Sequence, residues 1–349
     1  MTRKLWPALT AAFILCAGQT AARAADPVVV RIGVVNASSD AGFFIADKKG
    51  YFKEEGLAVT FTPFNSAAKM VAPLGAGQLD VGGGSPSAGL YNAIERGIEI
   101  KIVADKGSTP PGYGFQPLLV RKDLVDSGRY KTLKDLKGMK IAGSALGSAS
   151  SSTLNEALKM GGLKYADVDR VFMAFPQHVM ALQNKAVDAA MTTEPSATRA
   201  VQSGAAVRVM GDDVIYPNHQ LAVLLYSGAF IKDNPDAGKR FMRAYVRAIR
   251  DYNDALKDGR IAGPNAKEVI DILTEYTKIK DPAVYRAITP QGCNPDGRVN
   301  EASLKKDLRF YQDDGLVKGN ATVDQALDNS FVEAALKDLG PYKPMAGTK

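Results

Sequence analysis

Hydrophobic positions along the chain alternate between strand-like runs and helical segments. Residues 28–35 (VVVRIGVV) form a β-branched run typical of a buried strand, and residues 57–64 alternate as a strand does. Residues 41–49 have helical spacing and end at Gly50. This alternation predicts an α/β fold with a mostly parallel sheet and helices on its faces. The next predicted elements are a helix at 67–76, a strand at 79–82, a helix at 87–96 and a strand at 98–105.

The same order of elements recurs further along the chain. The segment PSA at 86–88 recurs at 195–197, an offset of 109, and LDV at 79–81 is echoed by VDA at 187–189, an offset of 108. Two further segments, RIG at 31–33 and the strand that ends at Asp105, also have similar counterparts at similar offsets. We therefore predict two lobes built on one plan, each about 100 residues long.

The remainder of the chain is helical and does not form a third copy. After a strand at 221–226, helical periodicity dominates from residue 234. A helical tail without a sheet must cover an existing one, and the first lobe is the natural host. The chain then crosses between lobes near 113–117 and 216–221, which makes a two-strand hinge with a ligand cleft between the lobes. The predicted division is a signal peptide at 1–24, lobe 1 at 25–115 and 219–349, and lobe 2 at 116–218.

The first residues have the features of a secretory signal peptide. Arg3 and Lys4 precede an apolar run at 5–17, and Ala22-Arg23-Ala24 is a small-x-small cleavage pattern. The apolar run is shorter than the ~20 residues that cross a bilayer as a helix. We predict export with cleavage after Ala24. Only Cys293 follows that point, so an internal disulfide and a cysteine-based zinc site are excluded.

Composition and charge narrow the class of partner. The chain has 349 residues, 46% hydrophobic and 23% charged, which is the balance of a folded globular protein. The net charge of +7 includes three basic residues of the predicted signal peptide, so the mature chain carries about +4. Lys and Arg are spread along predicted helices, where a solvated face explains them. We predict no nucleic-acid partner.

Ser, Gly, Asn, Thr and Gln dominate the loops that follow the predicted strands. These loops share one sheet edge in each lobe, and ligands bind at such edges. Two of them, at 83–87 and 147–153, open helices whose N-terminal N–H groups suit an anion, although a serine at either start could simply cap its helix. The predicted ligand-binding residues are Ser38, Ser39, Asp40, Phe43, Asn65, Ser66, Gly84, Ser85, Gly147, Ser148, Ser150, Gln177, His178 and Glu194.

Several of these residues have a structural alternative. Asp40 and its neighbouring serines could cap the following helix, and Phe43 and Phe44 are expected to be divided between the core and the cleft rim. His178 and Glu194 could bind a ligand amine or hydroxyl, but His178 has a structural role as its alternative. His219 lies near the second crossing and is predicted to be a hinge residue.

Motifs for catalysis and for cofactors are missing from the sequence. Residues 143–147 (GSALG) have Ala145 where a nucleophile elbow has serine. No phosphate loop, no Gly-x-Gly-x-x-Gly after Ile32 and no His-Glu-x-x-His occurs, and two histidines far apart in the sequence do not predict a metal site. We therefore predict no enzyme, no cofactor and no metal.

Several motifs together resemble a known family of proteins. They are KGYFKEEGL at 49–57, GQLDVG at 77–82, LVRKD at 119–123, DLKGMKIA at 135–142, and VDA at 187–189 with Glu194-Pro195. These motifs resemble the periplasmic solute-binding proteins for nitrate, taurine and alkanesulfonates, a family that extends to binders of thiamine-precursor pyrimidines. The resemblance implies a type II periplasmic binding fold in the periplasm. It also implies delivery of a small solute to a membrane-embedded ABC permease and its ATPase.

The resemblance places the ligand loops at 38–40, 65–66, 84–85 and 147–150 and at Glu194. Two departures limit it. The first loop (NASSDAGFF) lacks the aromatic residues of some sulfonate binders, and Asp40 would repel a sulfonate unless it is turned away. The cysteine-rich motif of the members that make the pyrimidine is absent. We predict a monomeric binding protein for a sulfonate- or carboxylate-like anion. The alternatives are a pyrimidine-like solute held by Asp40 or Glu194, or a periplasmic enzyme on the same scaffold.

Overall fold

The computed structural model describes residue 2 and residues 26–346. The predicted signal peptide and its cleavage after Ala24 therefore lie outside the described residues, apart from residue 2. Within residues 26–346, ten strands form two five-stranded sheets and a short hairpin adds two more. The strands are β1 Val28–Val34, β2 Leu57–Pro63, β3 Val81–Gly84, β4 Ile100–Gly107, β5 Leu118–Arg121, β6 Lys140–Gly143, β7 Asp169–Phe172, β8 Ala189–Met191, β9 Ala206–Met210, β10 Ala222–Ser227, β11 Leu256–Lys257 and β12 Arg260–Ile261.

Helices cover the faces of both sheets. They are α1 Ala41–Lys48, α2 Tyr51–Glu54, α3 Val71–Gly75, α4 Ala88–Glu95, α5 Lys122–Asp126, α6 Ala149–Met160, α7 Phe175–Gln183, α8 Ser196–Gln202, α9 Asp212–Ile215, α10 Gly228–Asp233, α11 Pro235–Asp254, α12 Ala266–Tyr276, α13 Pro282–Ala287, α14 Glu301–Asp313, α15 Val323–Ala326 and α16 Ser330–Leu339. Short 3₁₀ helices lie at Ser38–Asp40, Ala67–Met70, Leu133–Leu136 and Tyr165–Asp167. Among the described helices, none is long and apolar enough to cross a membrane.

The two sheets share one topology. The first has the order β2-β1-β3-β10-β4 and the second β7-β6-β8-β5-β9. In each sheet a single antiparallel strand, β10 or β5, lies between the third and fourth parallel strands. The predicted α/β fold with two lobes is therefore confirmed. In the chain, β5 follows the strands of the first sheet but lies in the second, and β10 follows the strands of the second sheet but lies in the first.

Hydrogen bonds reproduce the repeat seen in the sequence. The backbone N–H of Arg31 donates to Asp80 Oδ2 at 2.8 Å, and that of Lys140 donates to Asp188 Oδ2 at 2.9 Å. Both carboxylates follow the third helix of their lobe and lie beside its first parallel strand, namely β1 in the first lobe and β6 in the second. A repeated aspartate thus anchors the same strand pair in both lobes.

The helical tail packs against the first sheet. Helix α11 carries apolar residues at a spacing of three to four, and its aromatic side chains enter the core of the first lobe. Phe241 stacks on Phe52 with ring centroids 4.7 Å apart, and Tyr245 lies 5.6 Å from Phe43. On the opposite face of the sheet, Tyr311 of α14 packs in a second core cluster. The tail thus covers both faces of one lobe.

The two chain crossings are hydrogen-bonded to each other. The first runs from β4 to β5 and the second from β9 to β10. Thr109 in the first accepts, through its carbonyl, from Asn218 N–H at 2.8 Å, and its N–H donates to His219 O at 3.2 Å. The His219 ring stacks on Tyr216 at 4.0 Å, and its Nε2 lies 2.8 Å from Asp307 Oδ2 of α14. His219 is therefore a buried residue of the second crossing, and its role as a hinge residue stays a prediction.

A buried carboxyl in the second crossing should make stability depend on pH. Asp212 Oδ1 accepts from Gln116 N–H at 3.0 Å, but Oδ2 has no partner among the described residues. Burial raises the pKa of Asp212 to about 7, against partial compensation by that hydrogen bond and by His219 and Arg208. Since the folded state binds this proton more tightly than the unfolded chain, the contribution of Asp212 to stability falls as pH rises from about 4 to about 7.

We expect Asp212→Asn to remove that contribution. The amide keeps the Oδ1 acceptor and does not ionise, so the variant gains stability relative to the wild type by up to ~1.4 kcal/mol per pH unit between about pH 4 and 7. Urea unfolding at four pH values measures this difference. Asp324→Asn, at a side chain that is 76% exposed, is the control and should give no such slope. A pH-independent difference between Asp212→Asn and the wild type would show that Asp212 is ionised throughout.

Candidate ligand-binding site

The lobes meet at the carboxyl ends of their parallel strands, where they enclose a small cavity, called here the inner cavity. Its volume is about 30 Å³. Both lobes and both hinge crossings contribute to its wall, and the polar part of that wall consists of hydroxyl and amide groups. The lining includes Ser39, Ser66, Gly84, Ser85, Phe115, Gln116, Ser144, Ser150, Phe175, Thr193 and Leu221.

Two residues that line the inner cavity carry buried polar atoms without a partner. Gln116 Oε1 and Thr193 Oγ1 form no hydrogen bond with any described residue. Their residues are 1% and 3% exposed. A buried polar atom without a hydrogen bond costs about 1–3 kcal/mol, so such atoms are normally satisfied. A bound molecule in the inner cavity would satisfy both.

A second and larger cavity adjoins the first at Val35 and Ala37 and is called here the outer cavity. Its volume is about 250 Å³, and it also lies between the lobes. The first lobe contributes the loops after β1 and β2 and the segment between α12 and α13, and the second contributes the starts of α7 and α8. The side chains that matter below are Ser38, Phe64, Asn65, Arg199, Lys278 and Ile279.

Two helices from opposite lobes begin where the lobes touch. The first N–H of α4, at Ala88, donates to Gly147 O at 2.8 Å, and the first N–H of α6, at Ala149, donates to Ser85 Oγ at 2.7 Å. The first backbone N–H group of each helix therefore finds its hydrogen-bond acceptor in the other lobe. The sequence predicted that both starts face one cleft, and the structure adds that they bond reciprocally across it.

Three serine hydroxyls lie together at the start of α6. Ser148 Oγ is 2.8 Å from Ser150 Oγ, and Ser144 Oγ is 3.2 Å from each of them. Ser148 occupies the N-cap position, but its hydroxyl donates to Ala145 O and does not accept from the helix backbone. Capping is thus wrong as the role of Ser148, whereas Ser87 does cap α4 by accepting from Leu90 N–H at 3.2 Å.

A buried ion pair supports the first loop of lobe 1. Lys106 Nζ lies 2.9 Å from Asp40 Oδ1 and donates to Ser39 Oγ at 2.9 Å, and both charged side chains are 0% exposed. Asp40 Oδ2 accepts from the N–H groups of Val35 and Ala37. The carboxylate is turned away from the cleft, and Lys106 neutralises its charge. The repulsion of an anion by Asp40 that the sequence suggested is therefore not expected.

Lys106 is the main residue of this region that the sequence analysis missed. It follows the predicted strand 98–105 directly and lies at the carboxyl end of β4, with its Nζ near Asp40 in the loop after β1. Position therefore offered a signal, because the loops after β1 and β4 meet at the same edge of the sheet. Gly83 makes room for it: a Cβ there would lie 2.5 Å from Lys106 Cε.

The two titratable residues predicted in lobe 2 have internal partners. Glu194 accepts from Thr198 N–H at 2.8 Å and lies 3.3 Å from Arg208, and burial raises its pKa above the ordinary value. Its carbonyl accepts from Ser38 N–H of lobe 1 at 3.1 Å. His178 Nε2 lies 3.1 Å from Met173 O, and burial lowers the pKa of His178 to about 4, so its ring is neutral. The structural alternative is favoured for His178.

The remaining predicted site residues divide between the cleft and other places. Ser38 and Asn65 line the outer cavity, and the Ser38 hydroxyl donates to Gln291 Oε1 at 2.8 Å. Phe43 was expected to be a ligand contact and is instead 0% exposed in the core, as is its neighbour Phe44 at 3%. Gln177 accepts from Ala174 N–H within its own helix and faces solvent. The structure therefore corrects the predictions for Phe43 and Gln177.

The described residues offer binding groups rather than an activated nucleophile. Cys293 is buried, and burial raises the pKa of its thiol well above the ordinary value, which keeps it protonated. Among residues 26–346, no group of three or more His, Cys, Asp or Glu side chains is placed to hold a metal ion. Hydroxyls and amides line the inner cavity, and the outer cavity adds the side chains of Arg199 and Lys278.

A family comparison identifies the chain. The model of the NMT1-like family matches residues 23–262, which include the second lobe, both crossings and both sheets. The chain belongs to the NMT1-like family. A curated relative from Escherichia coli (strain K12), named for binding aliphatic sulfonates, is 29% identical over 154 residues. That match covers 44% of this NMT1-like chain and 45% of the relative, so the chain spans less than half of that protein's length.

Solved structures show the same fold. The alkanesulfonate-binding protein SsuA from Xanthomonas axonopodis pv. citri, bound to MOPS, is 18% identical with a TM-score of 0.67, covering 88% of this NMT1-like chain and all of the other. The periplasmic nitrate-binding protein NrtA from Synechocystis PCC 6803 is 15% identical with a TM-score of 0.72, covering 90% of each chain. The desulfurization enzyme DSZB has the fold too, at 14% identity and a TM-score of 0.59, covering 89% of this chain and 99% of that one.

Proposed function

We propose that this protein is the periplasmic substrate-binding component of an ABC-type importer and captures a small organic anion by closing its lobes. The observation that carries the proposal is the pair of adjoining cavities between the lobes, the inner one lined by two residues with partnerless polar atoms. Similarity to sulfonate- and nitrate-binding proteins supports an anionic solute. The partners are a membrane-embedded permease and its ATPase, and the chain acts as a monomer after cleavage behind Ala24.

The proposed solute contacts come from both lobes. Ser39, Ser66, Gly84 and Ser85 face Ser150 across the inner cavity, and these residues belong to the set predicted from sequence. Gln116 and Thr193 are added to that set. We propose that residues 25–115 and 219–349 move as one body and residues 116–218 as the other, about the two hydrogen-bonded crossings.

Closure follows from contacts that only the closed form can make. A solute that touches one lobe binds the open and closed forms equally and shifts nothing, whereas one that touches both favours the closed form. The cleft residues come from both lobes, so the solute should shift the population toward closure. Domain closure around a ligand is a common device of two-lobed binding proteins.

We expect a binding anion to compact the protein in solution. Thermal-shift assays with alkanesulfonates, nitrate, short carboxylates and thiamine-precursor pyrimidines identify the ligand, and small-angle scattering with and without it measures the radius of gyration. Binding should raise the melting temperature and lower the radius. Ser150→Ala should weaken binding, because the serine lines the cavity. The melting temperature of the free protein should fall modestly, because the hydroxyl is hydrogen-bonded within the cluster of Ser144 and Ser148.

Other outcomes separate the alternatives. Binding confined to pyrimidines would replace the anion by a neutral heteroaromatic solute. Chemical change of a bound compound, followed by mass spectrometry, would mark an enzyme, which DSZB shows to be compatible with this fold. Recovery of the ligand unchanged is what the proposal requires. Binding without compaction would contradict closure about the hinge.

A further inference from the structure

The inner and outer cavities differ greatly in capacity. The inner cavity has a volume of about 30 Å³ and the outer cavity one of about 250 Å³. The outer cavity therefore offers most of the room between the closed lobes, and we place most of an organic anion there.

The outer cavity also carries the charge that an anion needs. Arg199 of α8 lines it from the second lobe, and Lys278 lines it from the first. Asp and Glu are missing from its lining residues. Within the described part of the chain, neither cation forms an ion pair with a carboxylate, although many other Arg and Lys side chains do. The inner cavity, in contrast, has hydroxyls and amides, and its nearby cation Lys106 is already paired with Asp40.

Apolar surface beside the two cations suits a short hydrocarbon body. Phe64 and Ile279 line the outer cavity and are half-buried, and Pro176 lies on the opposite wall. Small-molecule sites typically combine apolar walls with a few charged or polar groups that fix orientation. The outer cavity has that composition, whereas a site for an inorganic anion alone would need no apolar wall.

We infer that the outer cavity is the anion-binding compartment: the charged group of the solute binds between Arg199 and Lys278, and a short hydrocarbon body packs against Phe64 and Ile279. This inference rests on the proposed function and deepens it, since it names the class of solute as a sulfonate or carboxylate with a body of a few carbons. The inner cavity then receives a single water or the tip of the solute.

The origin of the two cations explains how charge drives closure. Closure brings Arg199 and Lys278 toward one cavity from different lobes, and without an anion their like charges repel. An anion between them attracts both, and Coulomb attraction is stronger in a partly buried cleft than in water. The charge of the solute, rather than its size alone, therefore favours the closed form.

The test compares four single variants with butanesulfonate as the probe. Arg199→Gln and Lys278→Gln remove the proposed ligands, and Arg129→Gln and Lys53→Gln remove exposed cations from the segments leading into β6 and β2, at the sheet edges opposite the cleft. Titration calorimetry should show about a tenfold loss of affinity for each cleft variant and little change for the controls. The affinity of the wild type should fall with salt, and that of the double cleft variant should not.

Each outcome has a distinct meaning. Wild-type affinity in both cleft variants, together with loss of binding in Ser150→Ala, would place the anion in the inner cavity; this overturns the inference and leaves the proposed function standing. Tight binding of pyrimidines with no binding of butanesulfonate would overturn the inference and the anionic solute together. Failure of the wild type to bind any compound of the panel would overturn the proposed function itself. All four substitutions are at exposed side chains, so melting temperatures should stay close to that of the wild type.

Discussion

Gly147→Ala should lower the affinity for the solute by at least about tenfold and abolish compaction, because Gly147 sets how closely the lobes can approach. Gly147 adopts φ +61°, and a Cβ at this position would lie 2.6 Å from Ala88 Cβ in the opposite lobe. Real Cβ atoms do not come so close, so the lobes must separate. The same separation lengthens the bond from Ala88 N–H to Gly147 O. Calorimetry and scattering with the probe anion measure both effects.

The chain offers a matched control for the backbone cost. Gly162, just beyond α6, has φ +70° with no atom within 4 Å of an added Cβ. Alanine in left-handed backbone costs about 1–2 kcal/mol, so both variants should lose similar stability. Only Gly147→Ala should lose affinity. Equal affinity in the two variants would show that the interlobe contact at Gly147 does not form in the bound state.

Lys106→Met should destabilise the protein by about 3–5 kcal/mol, the largest stability effect expected of any single substitution here. Methionine fills a similar volume but leaves the Asp40 carboxylate without its cation in a site that is 0% exposed. Ser39 also loses its donor. Breaking a buried pair by removing one partner strands the other charge, and that desolvated charge is the source of the cost. Urea unfolding monitored by circular dichroism gives the change.

A second substitution tests the cause. In Asp40→Asn/Lys106→Met the stranded charge is gone, so part of the lost stability should return, and a double-mutant cycle gives the coupling between the two side chains. Lys267→Met is the surface control: Lys267 pairs with Asp271 on α12 but is 91% exposed, and such pairs contribute little. If Lys106→Met unfolds at the same urea concentration as the wild type, the buried pair is not formed in solution.

Local pattern was sufficient for the fold and for the loops that meet at the cleft. Strand and helix periods, the offset of about 108 residues and the rule that ligands bind at carboxyl ends of strands placed Ser39, Ser66, Ser85 and Ser150 around one cavity. These inferences need only which element follows which. Topology then brings distant loops to one edge, and no side-chain detail is required.

The same pattern did not predict which side chains contact each other. The sequence left the role and orientation of Asp40 open because its counter-ion lies 66 residues away in another strand. Phe43 and Phe44 were predicted to be divided between the core and the cleft rim because the helix that buries Phe43, α11, belongs to the tail. Arg199 and Lys278 were missed because each is an ordinary helix or loop cation until the two lobes are brought together. Pairing across long sequence separations depends on tertiary packing, which spacing alone does not encode.

The reciprocal bonds at Ala88 and Ala149 bear on how tightly the protein can hold any solute. Because these bonds need no solute, the empty protein already populates the competent conformation to some extent. The observed dissociation constant equals the intrinsic one divided by that populated fraction. Substitutions that strengthen or weaken these interlobe bonds can therefore raise or lower the affinity, although the residues concerned do not touch the solute. If the protein serves the importer proposed above, the same setting fixes how often an unloaded molecule presents itself to that importer as though it were loaded.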